Sequence, residues 1–218
     1  MTAPAALPPH YRHIVIEGPI GVGKTSLARR LAAATDARLL LEQPQENPFL
    51  ERFYRDSARY ALPTQMFFLF QRAQQMRDLA QQDLFERLTI ADFLLDKDRL
   101  FAQLTLAADE LRLYEQMHAH LAPQAPAPDL VICLQAPAQL LIERVGRRGI
   151  GAEAGISEAY LHALNDAYVR FFHDYDAAPL LIVNTEHLNP IDRDADFALL
   201  LERIGRMRGR REVFNLAG

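Results

Sequence analysis

The sequence predicts an α/β fold, a parallel sheet with helices on both faces, organised around one phosphate-binding loop. Three observations predict it. The run from Arg12 to Ala32 reads as strand, glycine-rich turn and helix; short apolar runs then alternate with helical patterns along the chain; and no internal repeat or domain linker interrupts the alternation. Five strands are expected in a single domain spanning residues 11–218, after a short disordered tail over residues 1–10.

The first strand is the apolar run Ile14, Val15, Ile16. It ends in Gly18-Pro-Ile-Gly-Val-Gly-Lys24-Thr25, and a helical pattern follows with Leu27, Ala28, Leu31 and Ala32 on one face. This fits G-x-x-x-x-G-K-S/T with the strand before and the helix after that the motif requires. Gly18, Gly21 and Gly23 let backbone N–H groups turn inward on an anion, and the helix N-terminus adds its positive dipole end. Lys24 is expected at the β- and γ-phosphates of ATP, Thr25 at Mg²⁺, and Ser26 among the nucleotide-binding residues.

The second strand, Ala37 to Leu41, ends at Glu42. Ligands of open α/β sheets gather at the carboxyl ends of strands, so Glu42 belongs to the same edge as the phosphate loop. Asn47 reads as an N-cap with Pro48 at the first helical position, starting a short helix that runs to Asp56. A second helix is expected from near Pro63 through TQMFFLFQRAQQMRDLAQQ. Gln65 and Arg72 lie two turns apart on one face of it, with Phe67, Phe68 and Phe70 between them. An amide and a guanidinium both make paired hydrogen bonds, which suits the edge of a planar base; the alternative is a core aromatic stripe with solvated polar neighbours.

Arg87 to Asp92 is an apolar strand closed by an acid, a Walker-B-like arrangement in which Asp92 holds Mg²⁺ or its water shell. Leu94 to Leu106 and Ala108 to Leu121 read as helices, and Pro123 to Pro128 as a loop before a fourth strand over Asp129 to Leu134. His118 and His120 fall on different helix faces and are not a metal pair. Ala138 to Arg148 reads as a helix closing in the basic cluster Arg144, Arg147, Arg148, with glycines at 146, 149, 151 and 155. That combination suits a hinged lid over about residues 144–156 whose arginines close on phosphate; the alternative is a helix C-terminus decorated with arginine for its dipole. Ser157 to Tyr175 is a further helix and Pro179 to Val183 the fifth strand. Asp192 to Arg211 reads as a closing amphipathic helix, its five arginines from Arg203 onward a solvated face that can border the nucleotide adenine.

Composition bounds the function. Half of the 218 residues are hydrophobic and the net charge is −4, an ordinary globular balance that argues against a general nucleic-acid-binding surface. The single cysteine, Cys133, sits in the apolar run LVICL and reads as a buried small hydrophobe in a reducing compartment. No apolar stretch approaches a membrane span, and the opening MTAPAALPPH has no basic n-region, so the expected location is the cytoplasm.

Taken together, GPIGVGKTS, LLEQPQENPFLERFYRD, PTQMFFLFQR, ADFLLDKDRLFA and ERVGRRGIGAE-AGISEAYL resemble the deoxynucleoside kinase family, closest to its bacterial deoxyguanosine/deoxyadenosine kinase branch. The resemblance runs from Arg12 to about Tyr175 and implies the P-loop nucleotide-kinase fold with an arginine-bearing lid. It implies Glu42 as general base for the sugar 5′-hydroxyl, and Tyr54 with the lid Glu153 at the 3′-hydroxyl. Gln65 and Arg72 would face the base, Asp92 would be the magnesium-linked acid near the substrate, and Arg144 and Arg148 would be catalytic arginines at the phosphates, with Arg147 on the nucleotide. Where many members carry Glu-Arg-Ser after the third strand, this chain has Ala91-Asp92-Phe93, and Ile150 replaces the second arginine of a lid R-G-R.

The activity implied is transfer of the ATP γ-phosphoryl group, with Mg²⁺, to the 5′-hydroxyl of a deoxynucleoside, preferably a purine, in nucleotide salvage. Family members are usually homodimers, which is carried as an expectation. Two other readings compete. A nucleoside monophosphate kinase of the thymidylate kinase type would need a cationic clamp and no base. A P-loop switch or ATP-binding module would need no transfer chemistry, although the absence of an N-K-x-D string weakens a GTPase version.

Overall fold

The computed structural model of the protein describes residues 7–81, 88–121, 127–149 and 155–216. Leu7 packs against the core, and the Tyr11 N–H donates to the Pro8 carbonyl at 3.1 Å, so the chain is already turning onto the sheet at this point.

β1 (His13–Glu17) is wholly buried, and its residues alternate between two cores as a period of two requires. Ile14 and Ile16 point to one face, Val15 to the other. The same alternation divides β4 (Leu130–Gln135), with Leu130, Ile132 and Leu134 on the first face and Val131 and Cys133 on the second. The first face is covered by α1 (Lys24–Thr35) and α8 (Asp194–Arg206), the second by α4 (Lys97–Thr105) and α7 (Glu158–Asp174). A third cluster joins α4 to α3 (Ser57–Gln81) and α5 (Ala108–Leu121) through Leu69, Ala102 and Tyr114.

Among the described residues the sheet has six strands, not five. With β2 (Arg38–Leu40), β3 (Thr89–Ala91), β5 (Leu180–Asn184) and β6 (Arg211–Phe214), the order is β2-β3-β1-β4-β5-β6, and all the pairings are parallel. The expected closing helix stops at Arg206, and the chain turns back through Gly209 into β6, pairing Leu180 with Arg211 and Val183 with Phe214. REVF lacks the apolar run that marks a buried strand, because an edge strand packs only one side. Arginines in and before it pin the strand: Arg211 donates to the Phe172 and Tyr175 carbonyls, Arg210 to the Asp176 carbonyl, and Arg203 of α8 pairs with Glu212 at 2.9 Å.

Three helix starts also differ from expectation, α4 opening at Lys97 rather than at Leu94. The turn after Asn47 delays α2 to Leu50–Arg55, although the Asn47 side chain does accept from the Phe49 N–H. α3 begins before Pro63, because the Asp56 carboxylate accepts the Arg59 N–H and caps it. Pro63 lies inside the helix, and the carbonyl it deprives of a donor, that of Arg59, is at an exposed residue where water can serve it. Ala108–Leu121 and, as α6, Ala138–Arg148 form as expected.

Candidate active site

Parallel strands put every carboxyl end on one edge. Their order brings three acids together there: Glu17 ends β1, Asp92 follows β3, and Glu42 follows β2. All but Glu17 line a cleft of about 290 Å³, together with Gly21, Gly23, Lys24, Thr25 and Ser26 from the phosphate loop.

The phosphate loop depends on glycine where the chain passes closest to its neighbours. Gly18 has φ +146°, and a Cβ there would lie 2.4 Å from the Leu134 carbonyl oxygen. Gly23, with φ +101°, occupies the cap position of α1. Lys24 Nζ donates to the Gly18 carbonyl at 2.8 Å and to the Pro19 carbonyl at 3.2 Å, folded onto its own loop. Burial lowers its pKa, against the opposing pull of Glu17, which places a desolvated cation where a phosphate would be received. The Thr25 hydroxyl donates to Asp92, whose other oxygen accepts the Glu42 N–H at 2.7 Å. Burial raises the Asp92 pKa against these hydrogen bonds.

Glu42 is fixed from several sides. Gln75 donates to the Leu41 carbonyl at 2.9 Å and Gln71 to Glu46 at 2.9 Å, so α3 holds the segment that carries it. Arg72 Nε and Nη2 both donate to Glu42 Oε1, and Arg72 Nη1 pairs with Asp98. Lys97 Nζ stands 3.6 Å from Glu42 Oε2 and 3.4 Å from Glu17 Oε2. Burial alone would raise the Glu42 carboxyl, but Arg72, Lys97 and, least of the three, Lys24 outweigh it and hold it at about 2. Glu42 is therefore a carboxylate at neutral pH, and its side chain keeps 16% exposure to the cleft.

The far end of the cleft is aromatic and amide-bearing. Gln65 is buried and lines it, and Phe68 lies under the Arg72 guanidinium, 4.8 Å from ring centroid to Cζ. Phe53, Tyr54 and Tyr160 form one wall, with ring centroids 5.2 to 6.4 Å apart. The cleft thus joins a phosphate loop, an ionised carboxylate and an aromatic, amide-bearing wall.

The deoxynucleoside kinase family model matches residues 14–207. The chain belongs to the deoxynucleoside kinase family. It is thus an enzyme that phosphorylates deoxynucleosides. The deoxyguanosine kinase of Bacillus subtilis is 33% identical over 85% of this chain and 89% of its own. The deoxyadenosine/deoxycytidine kinase of the same organism is 25% identical over 88% of this chain and 90% of its own. A solved deoxyadenosine kinase from M. mycoides, with products dCMP and a flexible dCDP bound, superposes with a TM-score of 0.78. At 22% identity, over 89% of this chain and 100% of that one, it shows the shared kinase fold.

Within this kinase, the cleft gathers most of the residues singled out in the sequence: Gly21, Gly23, Lys24, Thr25, Ser26, Glu42, Tyr54, Gln65, Arg72, Asp92 and Arg148. Gly18 shapes the loop without lining the cleft. The three arginines of α6 diverge instead of pointing one way. Arg144 donates to the Thr185 hydroxyl at 3.2 Å and to its carbonyl at 3.1 Å, Arg147 is exposed, and Arg148 reaches the cleft. Glu153 and Ile150 lie outside the described residues. Gly155, beyond them, would bring a Cβ within 3.1 Å of the Tyr54 Cβ, so the chain at Gly155 packs closely on Tyr54.

Sequence reasoning missed Glu17, Lys97, Asp98 and Tyr168. Glu17 accepts from the Gly18 and Leu94 N–H groups at 2.9 Å each and from the Tyr168 hydroxyl at 3.1 Å. An acid at the end of a buried strand is the signal already used for Glu42 and Asp92, and it applies equally to Glu17. Lys97 and Asp98 had no such strand-end signal; they fall inside the stretch ADFLLDKDRLFA, where the sequence reading gives neither a role.

Proposed function

We propose that the enzyme transfers the γ-phosphoryl group of ATP to the 5′-hydroxyl of a purine deoxynucleoside. The observation that carries this reading is an ionised, partly exposed Glu42 in the cleft of the phosphate loop. An alcohol that keeps its proton is a poor nucleophile, and a placed carboxylate contributes about 10²–10⁴-fold by accepting it. Oε1 is occupied by Arg72, so Oε2 is the oxygen offered to the hydroxyl. Arg72 turning toward the arriving base would loosen its hold and make Glu42 more basic.

Gln65 and Arg72 would read the base against Phe68, and Tyr54 with Glu153 would hold the sugar 3′-hydroxyl. The relatives' names, deoxyguanosine kinase and deoxyadenosine/deoxycytidine kinase, favour purines without choosing one. Lys24 and the arginines 144, 147 and 148, carried on a lid over about residues 144–156, would neutralise the transferring phosphoryl group. For Arg144 this requires release from Thr185.

Among the described residues no group of three or more His, Cys, Asp or Glu could hold a metal. The paired Thr25 hydroxyl and Asp92 carboxylate fit a Mg²⁺ that arrives with the ATP phosphates. Bound there, it would neutralise charge on the β- and γ-phosphates. The proposal extends to a homodimer acting in the cytoplasm; among the described residues no helix is long and apolar enough to cross a membrane.

A monophosphate acceptor fits less well, because a phosphate is largely ionised at neutral pH and gives the ionised Glu42 no proton to accept. The test is ADP release from Mg·ATP with each common deoxynucleoside and then with each monophosphate. Turnover of deoxyguanosine or deoxyadenosine is expected, falling at least about 100-fold in Glu42→Gln. Activity only on a monophosphate, or unchanged turnover in Glu42→Gln, sinks the assignment.

A further inference from the structure

We infer that Lys97 is a positioning residue of the transfer step, facing Glu42 Oε2 while Arg72 binds Oε1, and held in turn by Glu17. The inference rests on Glu42 being the base.

The two oxygens of Glu42 have different partners. Oε1 receives both Arg72 donors, while Oε2 faces Lys97 Nζ at 3.6 Å, longer than a hydrogen bond, which leaves it room to accept from a hydroxyl. Lys97 lines the cleft, yet its side chain is only 2% exposed. A lysine is rarely buried so deeply without a dedicated partner, and this one has Glu17 at 3.4 Å. Glu17, itself 0% exposed, cannot swing, being tied by two backbone N–H groups and Tyr168. It thus anchors the ammonium at a set distance from the base. Lys97 opens α4, directly beyond the segment whose Leu94 N–H Glu17 holds, so one carboxylate fixes both the lysine and its backbone approach. When Glu42 takes the hydroxyl proton its charge disappears, and the anchored Lys97 retains Glu17 as counter-ion, so its position survives the transfer.

The experiment measures kcat and the deoxynucleoside KM for Lys97→Met and Lys97→Arg, each alone and in the Glu42→Gln background. Displacing a reacting group by about 1 Å can cost about 100-fold. Lys97→Met is therefore expected to lower kcat at least about 10-fold with KM changed less than about 2-fold, and Lys97→Arg to recover part of the loss. Because Lys97 acts through Glu42, its effect should largely vanish in the Glu42→Gln background. Wild-type kcat in folded Lys97→Met, or the same fractional loss in both backgrounds, overturns the inference. Should Lys97→Met not fold, Lys97→Arg decides by the same comparison of backgrounds. Wild-type turnover in Glu42→Gln alone would instead identify failure of the base assignment.

Discussion

Replacing Glu42 by glutamine should change how stability depends on pH as well as the turnover. The carboxyl is held at about 2 against an ordinary 4.5. That depression is worth about 3 kcal/mol of folding free energy when the group is fully ionised. Because the folded-state pKa lies below the unfolded one, the contribution is present above pH 4.5 and is lost as pH falls from there toward 2. At pH 3 only about 1 kcal/mol of it remains. Glutamine keeps the size and loses the charge, leaving Arg72 with Asp98, and Lys97 with Glu17. Urea unfolding without nucleotide should therefore place Glu42→Gln about 3 kcal/mol below the parent at pH 7, with the gap narrowing to about 1 kcal/mol at pH 3. A gap that is equal at both pH values, or absent at pH 7, would refute the electrostatic account of Glu42 whatever happens to catalysis.

Three further outcomes follow from the geometry. Gly18→Ala should cost several kcal/mol and abolish ATP protection in thermal melts, since its Cβ would meet the Leu134 backbone oxygen at 2.4 Å; a Tm within about 2 °C of the parent would contradict the close approach. Arg72→Met strands Asp98, which is 1% exposed, and should destabilise by about 3–5 kcal/mol in urea titrations, with a smaller loss pointing to a rearranged pair. Tyr168→Phe removes one of three hydrogen bonds to Glu17 and should cost about 1–3 kcal/mol by the same measurement; a neutral result would mean that the hydroxyl does not hold Glu17.

What the sequence by itself determined is what local chemistry dictates. The turn from β1 into α1 requires its glycines at fixed offsets, a demand met within one short segment, so the phosphate loop was legible with its flanking elements. Glu42 and Asp92 were legible because a parallel sheet sends every strand's carboxyl end to one edge, and α5 and α6 because their patterns are uninterrupted. The tertiary structure alone decided what depends on residues distant in sequence. Pro63 reads as a helix start, yet Asp56 caps the helix earlier. REVF carries no strand signal of its own and becomes β6 because β5 offers an open edge and α7 offers carbonyls to Arg211. The arginines of α6 look equivalent in sequence, but Thr185 captures one and the cleft receives another. Lys97 differs from a solvated lysine only because Glu17, 80 residues earlier, lies 3.4 Å from it. Burial of a charge is a property of the partners that surround it, and those are chosen by the fold rather than by neighbouring residues.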